Sequence, residues 1–389
     1  MSCVIFGAGK IARGFIGHLL YLSNIPFVFV EKVDALADLI NQQGKYTVNI
    51  LGAPEKNCLV QGARALKFSQ AEEIAQAIAE ADVVFNAVGG KNLTEIVPFM
   101  VKGIEKKAAM GGNLNFITCE NWKQPADILR KGVEAQIDPA CKAYLDSSVG
   151  ITEAVVMRSA IESDPELLKQ DPLIVNVQDY WELPVDASRL KGHLPNIQGL
   201  KQIEAFTGFL ERKFYTYNAA NGTVSFLGAL LGYKHIADAA HDPWILEILE
   251  GVYQETAQAL SLKHNFPLDE QMAFTRTSKR KLQDYAIVDF VERNARDPMR
   301  KLGPDDRLVG SARLVHSYGI MPENLCTAIA AAIFYPNTED PFAIELRTIR
   351  ETQGVDGVLS QVCKLDPAGE LGRKIKEKIE MLRKAGYLQ

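Results

Sequence analysis

Two glycines close to the amino terminus have the spacing of a nucleotide-binding turn. They lie in the segment Gly7-Ala8-Gly9-Lys10-Ile11-Ala12-Arg13-Gly14, which directly follows the apolar run Cys3-Val4-Ile5-Phe6. A strand, a glycine turn and a helix in this order bind a dinucleotide pyrophosphate, because glycine permits both the tight turn and the close approach of the phosphates. The free N–H groups of the helix N-terminus favour the same anion. We therefore expect the dinucleotide to contact Gly7, Ala8, Gly9, Lys10 and Ile11, with Arg13 over the pyrophosphate.

A second apolar run, residues 26–30, ends in Glu31. A carboxylate at this strand end accepts hydrogen bonds from the ribose hydroxyls and repels a 2′-phosphate, which favours NAD over NADP as the cofactor. A third run, residues 82–87, leads into Val88 and Gly89, and we expect these two residues to contact the cofactor as well.

Alternating apolar segments must position these turns. Strands are predicted at residues 46–51, 82–90 and 115–119, and helices at 34–43, 72–81 and 98–109. Such alternation predicts an α/β Rossmann domain with a doubly wound, mostly parallel sheet, whose ligands bind at the carboxyl ends of the strands. Residues 173–180 read as one further strand that extends the sheet.

The second half of the chain is predicted to be mainly α-helical. Asp242-Pro243-Trp244 has the composition of a helix start, and apolar residues at helical spacing mark helices near residues 287–291, 325–333 and 375–382. We expect a Rossmann domain over residues 1–190 and a helical substrate-binding and catalytic domain over residues 191–389.

Composition excludes several classes of function. The net charge of −5 gives no sign of a nucleic-acid partner, and no segment is long enough to span a membrane. The chain begins with Met1-Ser2 directly before a core strand, so we expect no signal peptide and a cytoplasmic location. The six cysteines form no C-x-x-C pair and the six histidines form no H-E-x-x-H motif, so we expect no metal site.

Six segments resemble the polyol-specific long-chain dehydrogenases, and they extend over nearly the whole chain. The segments are FGAGKIARGFIG (6–17), NAVGG (86–90), CEN (119–121), KGHLPNIQG (191–199), ERKFYTYN (211–218) and RDPMRKLGPDDRL (296–308). The last two are the specific ones, since the glycine motif also occurs in many unrelated enzymes.

The resemblance implies a metal-independent dehydrogenase in which a lysine is the acid/base. Lys213 matches that lysine, and Asn121 and Asn218 match two asparagines that hold the reacting oxygen. Oxidation of a secondary alcohol requires a base for the hydroxyl proton and donors for the developing oxyanion. Positions 213 and 218 would lie about 140° apart on one continuous α-helix, so their convergence requires a break in the helix between them.

Substrate identity depends on less regular features. The family has a histidine eight residues after the lysine, whereas this chain has Asn221, which cannot titrate. Lys281 and Asp284 likewise replace an arginine and an asparagine of the relatives. Ten basic and six acidic residues lie between positions 276 and 313. Because cations bind phosphate oxygens, we expect Arg300 and Lys301 to contact a substrate phosphate, with Asn221 lining the substrate site.

The resemblance implies interconversion of a hexitol phosphate and a ketose phosphate, mannitol 1-phosphate and fructose 6-phosphate, with NAD. One alternative is a related reductase of a non-phosphorylated hexitol or a hexuronate. A second alternative, suggested by Asn221, is a catalytically silent regulator that binds the dinucleotide. Oligomeric state and the physiological direction do not follow from the sequence.

Overall fold

The chain forms two compact units, Met1–Phe206 and Thr207–Gln389. The computed structural model describes residues 2–161 and 163–388. The first unit continues past residue 190, where we expected the boundary, because strands on either side of that position pair with each other: Leu183–Asp186 runs parallel to Leu200–Ile203.

All strands that the structure describes lie in the first unit. They are β1 (Cys3–Phe6), β2 (Phe27–Glu31), β3 (Lys45–Leu51), β4 (Cys58–Gln61), β5 (Ala65–Lys67), β6 (Val83–Asn86), β7 (Leu114–Thr118), β8 (Val149–Glu153), β9 (Ala160–Ile161), β10 (Val175–Gln178), β11 (Leu183–Asp186) and β12 (Leu200–Ile203).

The main sheet has the order β5-β2-β1-β6-β7-β8, and all of its neighbouring strands are parallel. In chain order this is the 3-2-1-4-5-6 arrangement of a dinucleotide-binding fold. The order reverses between β1 and β6, so the loops after these two strands diverge and leave a crevice at their carboxyl ends. Separate apolar cores cover the two faces of the sheet. The predicted doubly wound α/β architecture is confirmed.

The strand predicted at residues 173–180 was assigned to the wrong sheet. The structure has β10 in a second sheet of order β4-β3-β10-β9, where it runs parallel to β3 with Val175 opposite Val48. The strand that extends the main sheet is β8, which lies at its edge and pairs with β7. This strand was not predicted.

Helices of the first unit pack against these sheets. They are α1 (His18–Leu22), α2 (Asp34–Gln43), α3 (Ala71–Glu80), α4 (Val97–Met110), α5 (Pro125–Glu134), α6 (Lys142–Ser148) and α7 (Pro165–Gln170), and a π-helical segment, Ala12–Gly17, precedes α1. Short 3₁₀ turns occupy Pro54–Lys56, Gly90–Ile96, Pro139–Cys141 and Ala187–Arg189. The helices predicted at 34–43, 72–81 and 98–109 are confirmed to within a residue or two at each end.

Helices are the regular secondary structure of the second unit in its described residues, and they are joined by loops. Its helices are α8 (Phe206–Lys213), α9 (Ala219–Leu230), α10 (Ile236–His241), α11 (Pro243–His264), α12 (Leu268–Leu282), α13 (Val291–Ala295), α14 (Pro298–Lys301), α15 (Val309–Ser317), α16 (Glu323–Ile333), α17 (Pro341–Gln361) and α18 (Glu370–Lys384), with a π-helical turn at Phe214–Asn218 between α8 and α9. Asp242 caps α11 as predicted, because its carboxylate accepts from the N–H groups of Trp244 and Ile245 at 2.9 and 3.0 Å.

The helix predicted around residues 287–291 is wrong for its first part. The Asp284 carboxylate accepts from the N–H of Ala286, which forms a turn after α12, and Ile287 lies in that turn. The backbone then pairs with an extended segment, through a bridge between Phe290 and His235, and helix α13 begins only at Val291.

Candidate active site

The glycine turn after β1 has the geometry of a pyrophosphate-binding loop. Gly7 has φ 85°, and a Cβ at this position would lie 2.6 Å from the carbonyl oxygen of Ala87. Any larger residue would therefore push the turn after β1 away from the turn after β6. At Gly9 a Cβ would meet no atom within 4 Å, so this glycine borders open space at the carboxyl ends of the strands. These are the two properties that the fingerprint glycines must have.

Glu31 holds the same turn from the end of β2. Its Oε2 accepts from the N–H of Ala8 at 2.7 Å, and its Oε1 accepts from the N–H of Val33 at 2.8 Å. The carboxylate also borders a cavity of about 290 Å³ that Gly7 and Gly9 line. Glu31 therefore stabilises the turn and faces the crevice, whereas the sequence analysis gave it only the second role.

A second cavity, of about 310 Å³, lies on the other side of Gly9. Lys10, Ile11, Gly89 and Glu120 are among the residues that line it. Because both cavities include Gly9, the crevice extends from Glu31 across the glycine turn to the end of β7, which is the path of a dinucleotide in this fold.

Glu120 is a functional candidate that the sequence analysis left out of its site. Its Oε1 accepts from the N–H groups of Val88 and Gly89 at 2.7 and 2.9 Å, and so fixes the loop after β6. Burial raises the pKa of this carboxyl, while the two N–H donors lower it. Its position at a strand end, next to a predicted glycine turn, was the signal that could have identified it.

Arg13 makes a different contact from the expected one. Its side chain is buried, and its guanidinium donates to the carbonyl oxygen of Ala8 within the turn. A second buried arginine, Arg158, donates to the carbonyl oxygen of Gly14 at 3.0 Å. Both arginines therefore support the fingerprint segment through its backbone.

Asn121 follows Glu120 and is exposed.

In the second unit, Lys213 ends α8 and is half-buried. Burial, and secondarily the positive charge of Arg307, lowers the pKa of its amine to about 8. The Arg307 guanidinium lies 5.6 Å from the ring centroid of Phe214, the residue after Lys213. An amine in this environment exchanges a proton near neutral pH, which an ordinary surface lysine does not.

The predicted break between Lys213 and Asn218 is confirmed. The five residues Phe214–Asn218 form a π-helical turn. Hydrogen bonds in such a turn join residue i to residue i+5, so side chains five positions apart lie one above the other. Lys213 and Asn218 therefore share a face of this segment.

Asn221, which stands in place of the family histidine, is held by a polar chain. Its Nδ2 donates to Oδ1 of Asn294 at 3.0 Å, and Nδ2 of Asn294 donates to Asp289 at 2.7 Å.

The pKa of Lys281 is lowered to about 8 by burial and by the charge of Lys213, while Asp289 acts in the opposite direction. Lys213, Lys281 and Arg307 thus form a group of cations, which we call the cation cluster.

The two residues expected to bind phosphate differ in their surroundings. Arg300 is exposed, and its guanidinium pairs with Asp297 at 3.0 Å and with Asp306 at 3.5 Å. Lys301 is buried and donates to the carbonyl oxygen of Arg296; burial and the charges of Arg307 and Arg300 lower its pKa to about 8. Lys301 is therefore a neighbour of the cation cluster. Arg300 shares the carboxylate of Asp306 with Arg307, whose Nε lies 2.9 Å from it.

The described residues offer neither a metal-binding cluster nor a membrane-spanning helix. Residues 2–161 and 163–388 contain no group of three or more His, Cys, Asp or Glu side chains placed to hold a metal ion. No helix within those ranges combines the length and apolar character that a membrane crossing requires.

Known proteins match this chain from end to end. The family model described as the mannitol dehydrogenase Rossmann domain matches residues 1–199, and the one described as the mannitol dehydrogenase C-terminal domain matches residues 205–382. A mannitol-1-phosphate 5-dehydrogenase of Bacillus licheniformis is 34% identical over 368 residues, which cover 94% of this chain and 96% of that protein.

Two solved structures share the fold. A substrate-free D-sorbitol dehydrogenase superposes with a TM-score of 0.83 at 16% identity, and the match covers 100% of this chain and 94% of that one. The ternary complex of Pseudomonas fluorescens mannitol 2-dehydrogenase with NAD and D-mannitol gives a TM-score of 0.69 at 14% identity, covering 100% of this chain and 92% of that one.

Proposed function

This chain belongs to the mannitol dehydrogenase family, and we propose that within it the protein interconverts mannitol 1-phosphate and fructose 6-phosphate. As a member of that family it is an NAD-dependent oxidoreductase. The observation that carries the proposed chemistry is the half-buried amine of Lys213, whose pKa is lowered to about 8 next to Arg307. We further propose a cytoplasmic location.

The first unit fits NAD on its own geometry. The open space at Gly9 accommodates a pyrophosphate, and Glu31 borders the adjoining cavity, where a carboxylate can accept from ribose hydroxyls. On the other side of Gly9, the N–H groups of Val88 and Gly89 are fixed by Glu120. When bound, NAD accepts or donates the hydride at its nicotinamide ring.

Lys213 is proposed to move the proton. In polyol oxidation the neutral amine takes the proton of the substrate hydroxyl, and in ketose reduction the ammonium returns it. Asn218, on the same face of the π-turn, is proposed to donate an amide N–H to the reacting oxygen as negative charge develops there. The corresponding role of Asn121 stays a prediction of the family resemblance.

The cation cluster supports a phosphorylated substrate. Lys281 and Arg307 are neighbours of Lys213, and the like charges of this group lower the pKa values of both lysines. A bound phosphate would relieve this repulsion, because it places negative charge among the cations. We therefore propose Lys281 and Arg307 as phosphate ligands together with Lys301. Arg300 has a secondary role because it is exposed and pairs with Asp297 as well as with Asp306, whereas Arg307 is largely buried and pairs with Asp306.

A substrate panel tests this proposal. Turnover of mannitol 1-phosphate, mannitol, fructose 6-phosphate, fructose and a hexuronate is measured with NAD(H) and NADP(H) as kcat/KM. We expect the phosphorylated pair with NAD(H) to exceed every other combination by at least about 100-fold, a difference of about 2.7 kcal/mol. A preference for free mannitol or for the hexuronate would contradict the phosphate assignment. Tight NADH binding without turnover of any compound would instead indicate a silent regulator.

The variant Lys281→Met tests the proposed phosphate contact, and Lys279→Met is its control. Lys279 lies on the same helix but pairs with Glu250. We expect Lys281→Met to raise KM for mannitol 1-phosphate at least about tenfold and to leave KM for NAD unchanged, while Lys279→Met changes neither.

A further inference from the structure

The π-turn at Phe214–Asn218 requires something to hold it. In α-helical register, the side chains of positions 213 and 218 would diverge by about 140°. π-Helical turns are rare, and they occur mostly as single turns inside α-helices. The flanking helices α8 and α9 are both α-helical, so the wider register is confined to the residues between Lys213 and Ala219.

Three buried polar side chains tie this turn to helix α12. Arg212 Nε donates to Oε1 of Gln271 at 2.6 Å, and Nε2 of Gln271 donates to Oγ1 of Thr216 at 3.0 Å. Arg212 is the residue before Lys213, and Thr216 is the middle residue of the π-turn. The fully buried amide of Gln271 therefore joins Arg212, which precedes the turn, to Thr216 at its centre.

The arginine is itself fixed on all sides. Its Nη1 pairs with the carboxylate of Glu270 at 2.8 Å, and its Nη2 donates to the carbonyl oxygen of the same residue at 3.1 Å. Its guanidinium lies 4.8 Å from the ring centroid of Phe266 and 4.4 Å from that of Phe274. The Phe274 ring also makes an edge contact with Tyr217, within the turn. This cluster leaves Arg212 little freedom to follow a change of helical register.

Thr216 differs from other buried threonines of the second unit. Thr223 and Thr256 donate their hydroxyls to the carbonyl oxygens four residues earlier, at 2.9 and 2.8 Å, which is the usual bond of a threonine within an α-helix. The Thr216 hydroxyl instead accepts from Gln271 of another helix. The middle residue of the turn is therefore linked to another helix, α12, through its side chain.

We propose that Arg212, Gln271 and Thr216 are positioning residues that hold the π-turn in the register in which Lys213 and Asn218 share a face. The inference rests on the proposed acid/base role of Lys213. None of the three side chains needs to touch the substrate, because each acts through the backbone between the two functional residues.

Near-isosteric variants test the proposal in the full-length enzyme. Thr216→Val removes the hydroxyl and Gln271→Met removes the amide, while both nearly keep the side-chain volume. We expect each to lower kcat for mannitol 1-phosphate oxidation by about 10- to 100-fold, since misplacement of a catalytic group by about 1 Å has an effect of this size. KM for NAD stays within about twofold, because the cofactor residues lie in the first unit. Thr216→Ser, which keeps the hydroxyl, is expected to restore kcat to within about threefold of the wild-type value.

The control is Thr223→Val, the same chemical change at a buried threonine of α9. It is expected to leave kcat unchanged, although it also removes a buried hydroxyl bond. The pH profile adds a readout that a loss of stability does not change: in Thr216→Val and Gln271→Met, which introduce no charge, the inflection near pH 8 is expected to move upward, as Lys213 becomes more solvated.

Wild-type kcat and an unshifted pH profile in both variants, with only a lower melting temperature, would overturn the proposal. If one variant fails to fold, the other and Thr216→Ser decide the question by the same criteria. The proposed function is judged separately by Lys213→Ala. Loss of turnover in that variant, together with wild-type behaviour of the Thr216 and Gln271 variants, overturns the positioning role alone.

Discussion

Glu31 illustrates how one side chain serves both the fold and the cofactor. Its two carboxylate oxygens accept backbone N–H groups of Ala8 and Val33, and the same carboxylate borders the cavity next to Gly9. The sequence placed this residue correctly, because an acidic residue after the second strand is part of the dinucleotide pattern. Its bond to the glycine turn depends on how close the end of β2 lies to the turn after β1. A local sequence pattern does not give that distance.

We expect Glu31→Ala to weaken both functions. Loss of the acceptor for two N–H groups should lower the free energy of unfolding by about 1–3 kcal/mol. The preference for NAD over NADP, measured as the ratio of kcat/KM values, should fall at least about tenfold because a 2′-phosphate is no longer repelled. Asp38→Ala is the control, since its exposed carboxylate pairs with Lys67 at 2.7 Å and does not line the cavity next to Gly9. An unchanged cofactor ratio in Glu31→Ala would refute the ribose assignment.

At the scale of elements, both functional segments contain π-helical turns: Ala12–Gly17 follows the glycine turn and Phe214–Asn218 follows Lys213. Such turns are frequent at functional sites, because the extra residue per turn changes which side chains share a face. The need for a break after Lys213 followed from the spacing of positions 213 and 218. The π-turn at Ala12–Gly17 did not, because helical periodicity alone does not distinguish the two registers.

We expect Gly7→Ala to disrupt the turn between β1 and the fingerprint segment. The added Cβ would lie 2.6 Å from the Ala87 carbonyl oxygen, and φ is 85° at this position. NADH affinity, measured by fluorescence titration, should fall by at least about 100-fold. Gly44→Ala provides the comparison: its φ is 60°, but its Cβ would meet no atom within 4 Å, so only the backbone strain, about 1 kcal/mol, applies. Equal effects of the two substitutions on affinity would argue against close approach at Gly7.

The bounds of helices and strands were easier to predict from the sequence than which segments pair with each other. The helices at 34–43 and 98–109 and the capped start of α11 follow from apolar periodicity and from Asp242-Pro243. The partner of β10 was not predictable, since a short apolar strand carries no information about which strand it pairs with. The extended segment before α13 was missed because it pairs with residues 234–236, a contact that is distant in sequence.

The same limit applied to the site. Gly7, Gly9 and Glu31 follow from a pattern with a physical meaning, and Lys213 follows from a resemblance of whole segments. The distinction between Arg300 and Arg307 required the structure, because both are arginines of one basic segment. Both pair with Asp306, and they differ in the further contacts that each makes: Arg300 with Asp297, and Arg307 with the Phe214 ring.

For the whole molecule, the cation cluster has a thermodynamic consequence. The folded protein lowers the pKa of Lys281 to about 8 from the ordinary value of 10.5. Below pH 8 the amine is charged in both states, and the folded state carries the full cost of burying it. Between pH 8 and 10.5 the unfolded chain holds more protons, so the free energy of unfolding rises with pH, and the cost disappears above that window.

Lys281→Met should therefore raise stability at pH 7, by about 1–3 kcal/mol from the linkage of pKa and stability. The gain should shrink as pH rises from 8 to 10. The measurement is the difference in melting temperature between variant and wild type across pH 7–10, because other groups contribute equally to both proteins. Lys279→Met serves as the reference. A gain that does not depend on pH would show that burial and the charge of Lys213 do not lower the pKa of Lys281.

The pH dependence of kcat/KM for mannitol 1-phosphate oxidation by NAD, in wild type and in Lys213→Ala, tests the central claim most directly. The wild-type rate should rise through an inflection near pH 8, because the base must be neutral, and fructose 6-phosphate reduction should fall through the same pH. Lys213→Ala should lose about 10²- to 10⁴-fold in rate and lose that inflection, while it still binds NADH. Wild-type turnover by Lys213→Ala at every pH would contradict the account.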